Sequence, residues 1–189
     1  MPRNDTVVVG QSVKRIDALG KVTGEAPYPG DINLDGQLWM KLRFSDRAHA
    51  RVVSVDTARA EALNGVVAVF TSRDIPVNEY GLVIKDQPVL CGPGGTKPGT
   101  DVVRCYMDYV AVVVAETAAI AAQAAAMVDV TYEDLPPVFS AEASMLPDAS
   151  QLHPNVPRNI LCHYRIRRGD MGEGWSQADV IVEGEYETS

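Results

Sequence analysis

The sequence is short of the residues that build metal clusters. It has no long apolar run and no excess of positive charge. Its three cysteines, Cys91, Cys105 and Cys162, are widely separated, and no C-x-x-C occurs among them. That spacing excludes a disulfide framework and a zinc or iron–sulfur ligand set, and it fits ordinary reduced thiols. The three histidines, His49, His153 and His163, are scattered as well. They read as structural residues rather than ligands. Lysine and arginine number 17 against 25 acidic residues, a net charge of −8. Such a balance speaks against nucleic-acid binding, which needs a basic face, and against docking on an anionic membrane. A membrane-spanning helix needs about 20 apolar residues. The longest candidate, residues 110–128, is broken by Glu116 and Thr117 and is mostly alanine. The opening "MPRNDTVVVG" has no apolar core of a signal peptide. A cytoplasmic protein is expected.

What is present is an ordinary globular composition, 46% apolar and 22% charged over 189 residues, enough for one good core or two small lobes. Residues 1–36 are rich in glycine, proline and charge and weak in periodicity. They read as an extended arm, with one short strand near Gly24 to Tyr28. Strands are expected at "LWMKLRFS" (38–45), "ARVVSVD" (50–56) and "VVAVFTSRDI" (66–75). Between the last two, "TARAEALNG" (57–65) reads as a short helix, with Asp56 or Thr57 as N-cap and Gly65 past its end. Residues 76–101 form a long turn-rich loop, most concentrated in "CGPGGTKPGTD" (91–101). Two further strand segments follow, "DVVRC" and "YVAVVVAE". "TAAIAAQAAAMV" (117–128) is the clearest helix. Its alanines allow close packing, with Ala121 and Ala125 on the inner face. "DVTYEDLPPV" (129–138) reads as a strand and 140–158 as a connector. "NILCHYRIRRGD" (159–170) and "ADVIVEGEYET" (178–188) read as strands around a short helix at 172–177. Strands outnumber helices without strict alternation, which indicates an α+β domain with mixed or antiparallel pairing.

No constellation of catalytic residues emerges. "GPGGTKPGT" (92–100) is not a phosphate loop: Pro98 removes an amide donor and no helix follows. No G-x-G-x-x-G opens a helix, and no G-x-S-x-G elbow occurs. The carboxylates of "YEDLPP" and "GEYE" alternate with apolar residues and read as a solvated face. Arg165, Arg167 and Arg168 form a small basic cluster. It reads as an outward face, with an acidic partner as the alternative.

Several stretches resemble, in order, the N-terminal region of the large molybdenum-binding subunit of the xanthine dehydrogenase / aldehyde oxidase family. They are "VGQSVKRIDALGKVTGEAPYPGDI" (9–32), "FSDRAHARVVSVDTARAEALNGVVAVFTSRDIP" (44–76), "DQPVL" (86–90), "VAVVVAET" (110–117), "VTYEDLPPV" (130–138), "GD" (169–170) and "ADVIVEGEYET" (178–188). The resemblance implies an α/β-hammerhead domain over 37–189, a mixed sheet with one long Ala-rich helix and short helices, preceded by the 1–36 arm. One departure stands out. Where the family has a turn with glycine and proline, "CYMDYVA" (105–111) has Met107 and Tyr109. A methionine does not take positive φ cheaply, so a differently built turn or a packed Met107 is expected.

The family's chemistry is hydroxylation of a carbon centre of a purine, N-heterocycle or aldehyde with oxygen from water. The resemblance implies molybdenum–molybdopterin, [2Fe–2S] clusters and FAD for the complete enzyme. The implied partners are the remaining molybdenum-binding domains, an iron–sulfur subunit and an FAD subunit. No catalytic, cofactor-binding or metal-binding residue is carried over to this chain, which alone is expected to be inactive and to bind no molybdenum, iron or flavin. The sequence stops as the strand at 178–188 is completed. That suggests a fragment or one piece of a split subunit. The alternative is a stand-alone binding or adaptor module with the same fold. The arm and the 76–101 loop are the expected contact surfaces, mobile until a partner covers Leu19, Tyr28, Ile32, Leu82, Val83, Ile84 and Leu90.

Overall fold

The computed structural model describes residues 10–82 and 84–187. The chain divides into two compact units, Met1–Pro137 and Val138–Ser189.

In the first unit, helix α1 (Ala18–Thr23) follows Asp17 and stops at Gly24, whose φ of 80° is left-handed. Lys21 and Arg15 both reach the Asp17 carboxylate and hold it below the usual carboxylate range. The strand expected near Gly24 to Tyr28 is absent. A left-handed glycine ends the helix there, and a 3-10 turn over Pro29–Asp31 follows. The apolar residues of this arm, Leu19, Tyr28 and Ile32 among them, stay exposed.

Six strands follow among the described residues: β1 (Trp39–Phe44), β2 (Ala50–Asp56), β3 (Val66–Phe70), β4 (Val102–Val103), β5 (Tyr109–Ala115) and β6 (Asp129–Asp134). They form two antiparallel three-stranded sheets, ordered β1-β5-β3 and β4-β2-β6. Of the expected mixed or antiparallel pairing, the antiparallel kind is what forms. β5, an uncharged seven-residue strand, lies at the centre of its sheet. Helix α2 (Ala58–Glu61) and helix α3 (Ala118–Ala126) pack on one face of that sheet. Thr117 caps α3 by accepting from the Ile120 amide at 3.2 Å. Ala121, Ala124 and Ala125 are buried, with Ala124 and Ala125 against Ala111 and Val113 of β5. Small side chains bring this short helix onto the sheet. Gly65 opens β3 with φ 90°, and a Cβ there would lie 2.7 Å from Ile120 Cδ1. Only glycine fits that corner.

β5 serves two cores through a bulge. Arg43 pairs with Ala111, but Phe44 pairs with Tyr109. The extra residue, Val110, leaves the alternation, so neighbouring Val110 and Ala111 are both fully buried in different clusters. Val110 joins Ala50, Val52, Cys91 and Val103 in the core of the second sheet. Val55 and Val130 touch both clusters.

In the second unit, α4 (Ala141–Ser144) is capped by Ser140 and α5 (Met171–Ser176) by Asp170. The strands expected at 159–170 and 178–188 do not form among the described residues, and nearly every side chain there is exposed. A strand is stabilised by its ladder and by packing on one face. Within this unit neither stretch has a ladder partner.

Candidate functional site

The 76–101 loop is more tightly built than its composition suggests. Asn78 is buried and works as a clamp. Its Nδ2 donates to Leu90 O at 2.8 Å, and its Oδ1 accepts from the amides of Val89 at 2.8 Å and Leu90 at 3.0 Å. Tyr80 and Gln87 exchange backbone hydrogen bonds between these ends. Leu90 and Cys91 are buried, and the Cys91 amide donates to Tyr109 O at 2.6 Å. The expectation that Leu90 awaits a partner is therefore corrected: it fills its own domain. Leu82 and Ile84 do stay exposed, and Val83 lies outside the described residues.

The glycine-rich segment closes on itself. The Gly92 amide donates to Thr100 O, Thr100 Oγ1 donates to Lys97 O, and Ser72 Oγ donates to Pro93 O. A Cβ on Gly95 would sit 2.3 Å from Thr100 Oγ1. The Lys97 ammonium pairs with Glu79, which also faces Lys85 at 3.7 Å. A phosphate site would leave amides and lysine free to meet an anion; here the Gly92 and Thr100 amides bond within the loop and Lys97 pairs with Glu79.

The unusual turn at 105–108 is built around an acid. Asp108 Oδ2 accepts from the amides of Arg104 at 2.6 Å and Cys105 at 3.2 Å, while Oδ1 lies 3.2 Å from Cys105 Sγ. Met107 has no positive φ and is exposed. The turn is thus built differently, and Tyr109 begins β5 with its ring edge-on to Phe44 at 5.4 Å.

A polar cluster gathers around Tyr132 and Asp134 of β6. Arg47 pairs with Asp134 at 3.1 Å and sits over the Tyr132 ring at 5.4 Å. The Tyr132 hydroxyl and Arg43 Nε are buried and make no hydrogen bond among the described residues. Burial outweighs the nearby Ser45 hydroxyl and pushes Tyr132 above its ordinary range. His49 is structural, with Nδ1 2.8 Å from Pro136 O.

The donor set does not fit a metal or cluster cofactor. No group of three or more His, Cys, Asp or Glu gathers among the described residues. Burial raises the Cys91 thiol far above the range where a thiolate forms, and burial with Asp108 raises Cys105. No helix among the described residues is long and apolar enough to cross a membrane. Arg165, Arg167 and Arg168 remain exposed in the second unit.

The remaining feature is a sheet face. Directly opposed residues in antiparallel strands share a face. Register puts Met40, Val114 and Ala68 in one row across β1, β5 and β3, and Leu42, Val112 and Phe70 in the next. This face lies opposite the helices. Met40 is 65% exposed and Phe70 42%; the other four are half-buried.

Fold and register together define an α+β module of two antiparallel sheets, one with an apolar outer face. Residues 23–136 match the aldehyde oxidase and xanthine dehydrogenase a/b hammerhead domain, and the chain belongs to that family. It is 41% identical over 174 residues to a probable xanthine dehydrogenase subunit of Bacillus subtilis, covering 92% of this chain and 22% of the relative. The large molybdopterin subunit of nicotinate dehydrogenase from Eubacterium barkeri is 32% identical, covering 97% and 41%. Among solved structures, the aldehyde oxidoreductase of Desulfovibrio gigas superposes with a TM-score of 0.69 at 29% identity, covering 88% of this chain and 19% of that one. The chain therefore spans less than half the length of these relatives.

Proposed function

We propose that this chain is the structural N-terminal part of a molybdenum hydroxylase of the xanthine dehydrogenase / aldehyde oxidase type. The reaction of the whole is hydroxylation of a carbon centre in a purine, N-heterocycle or aldehyde with water-derived oxygen. Its cofactors, a molybdenum–molybdopterin, [2Fe–2S] clusters and FAD, sit on other domains or subunits. This chain supplies an arm over 1–36 and a hammerhead domain over 37–189, and it acts in the cytoplasm.

One observation carries the reading: relatives align over nearly all of this chain yet extend well beyond it. The test is purification from the native source through a tag on this chain, followed by molybdenum, iron and flavin analysis. Stoichiometric molybdenum and iron accompanying the chain is the expected result. A chain that purifies alone and metal-free from cells with active molybdenum hydroxylases overturns the proposal and favours an adaptor role.

A further inference from the structure

We infer that the outer face of the β1-β5-β3 sheet, built from Met40, Leu42, Ala68, Phe70, Val112 and Val114, is the docking surface for the remainder of a large molybdopterin subunit. This rests on the proposed role and assigns it a place on the domain.

Strand composition is the first argument. A sheet with one wet face alternates apolar and polar residues, whereas strands buried on both faces read as continuous apolar runs. β5, "YVAVVVA", has no charged residue on either face, and β3, "VVAVF", has no polar residue at all. β1 does carry two charges, Lys41 and Arg43, but register places them opposite Val113 and Ala111, on the helix side. Met40 and Leu42 point outward, while Trp39, opposite Ala115, shares the helix side. A face meant for water would show the reverse arrangement.

Contiguity is the second argument. The six residues form two complete rows across three strands. Single exposed apolar residues are common, but a continuous sheet face marks a contact. The third argument selects the occupant. The relatives carry this domain within much longer chains. A second copy would bring together two chains of net charge −8, which repel at long range. An apolar surface of the rest of the large subunit meets neither objection.

The experiment uses thiol protection. Cys105→Ser and Cys162→Ser remove the exposed thiols, and the buried Cys91 stays. Met40→Cys or Phe70→Cys is then introduced singly. N-ethylmaleimide labelling is timed in the isolated chain. It is timed again in a chimera where this chain replaces the matching segment of the Eubacterium barkeri subunit. Labelling at both positions should be fast in the isolated chain and slow by about tenfold or more in the chimera. Equal rates in a chimera that holds molybdopterin overturn the docking assignment alone. Slow labelling already in the isolated chain also overturns it, and means that a second copy or this chain itself closes the face. A chimera without molybdopterin counts against the proposed role, and the inference falls with it. A second variant pair guards against assembly artefacts. Met40→Lys with Phe70→Lys should leave the thermal midpoint of the isolated chain unchanged and abolish molybdopterin retention in the chimera. Full retention overturns the inference.

Discussion

Asn78→Ala should loosen the 78–92 loop far more than it unfolds the domain. The side chain makes three hydrogen bonds to backbone groups of Val89 and Leu90, at 2.8, 2.8 and 3.0 Å. Each neutral hydrogen bond contributes about 1 kcal/mol net, and a partner left buried without one costs at least as much. The loop thus loses about 3 kcal/mol of local stability. It has two ways to respond. If the orphaned groups stay buried, the whole domain is destabilised by that amount, a large share of the roughly 5–15 kcal/mol of a typical domain. If the segment opens, Leu90 leaves its pocket, water satisfies the backbone, and the strands remain paired. Local opening is the smaller loss, because among the described residues the middle of the segment is held by the Tyr80–Gln87 bridge and the Lys85–Glu79 pair. Native-state hydrogen exchange resolves the two. The Val89 and Leu90 amides should exchange about a hundredfold faster, corresponding to about 3 kcal/mol. The urea midpoint should shift by less than the full amount. Exchange at Val89 and Leu90 within about twofold of the parent chain would refute the clamp.

Three further outcomes follow from the packing. Ala121→Leu and Ala125→Leu each overpack the α3–sheet contact and should cost roughly 1–3 kcal/mol by urea denaturation; unchanged stability in both would show that α3 does not sit closely on the sheet. Tyr132→Phe removes a buried hydroxyl that makes no well-formed hydrogen bond and has the Ser45 hydroxyl nearby, and it keeps the ring under Arg47. Its urea midpoint should rise by an equivalent of about 1 kcal/mol at unchanged slope, and a fall would reveal a partner for that oxygen. Alkylation at pH 8 should modify Cys162 and leave Cys91 intact, because Cys91 is buried and its thiol is held protonated; stoichiometric modification of Cys91 in the native chain would contradict the second core.

Strand positions in the first unit were legible because their residues settle them locally. "ARVVSVD" forms β2 over the same seven residues, and the alanine helix begins at its Thr117 cap. Helix α1 was not legible. Six residues with an internal glycine form no stable isolated helix, and Asp17 and Gly24 mark its ends only once the turn is seen. The stretches 159–170 and 178–188 have strand-like composition, yet no ladder forms among their described residues. Composition sets a preference, while a strand also requires a neighbour. The order in the 76–101 loop was hidden for a similar reason. Nothing in the local pattern around Asn78 says that its side chain reaches across to residues 89 and 90.

By itself the sequence determined the family resemblance, the α+β class, the acidic surface and the close-packing alanine helix. These depend on residue identity and short-range periodicity, which the chain carries in any conformation. Tertiary structure alone decided the partition into two antiparallel sheets and the Val110 bulge that lets β5 serve two cores. It also decided the Asp108-built turn and which face of β1-β5-β3 lies open. Each depends on register between strands far apart in the chain. A one-residue slip in register moves every side chain to the opposite face, so the open face exists only once the ladder has formed.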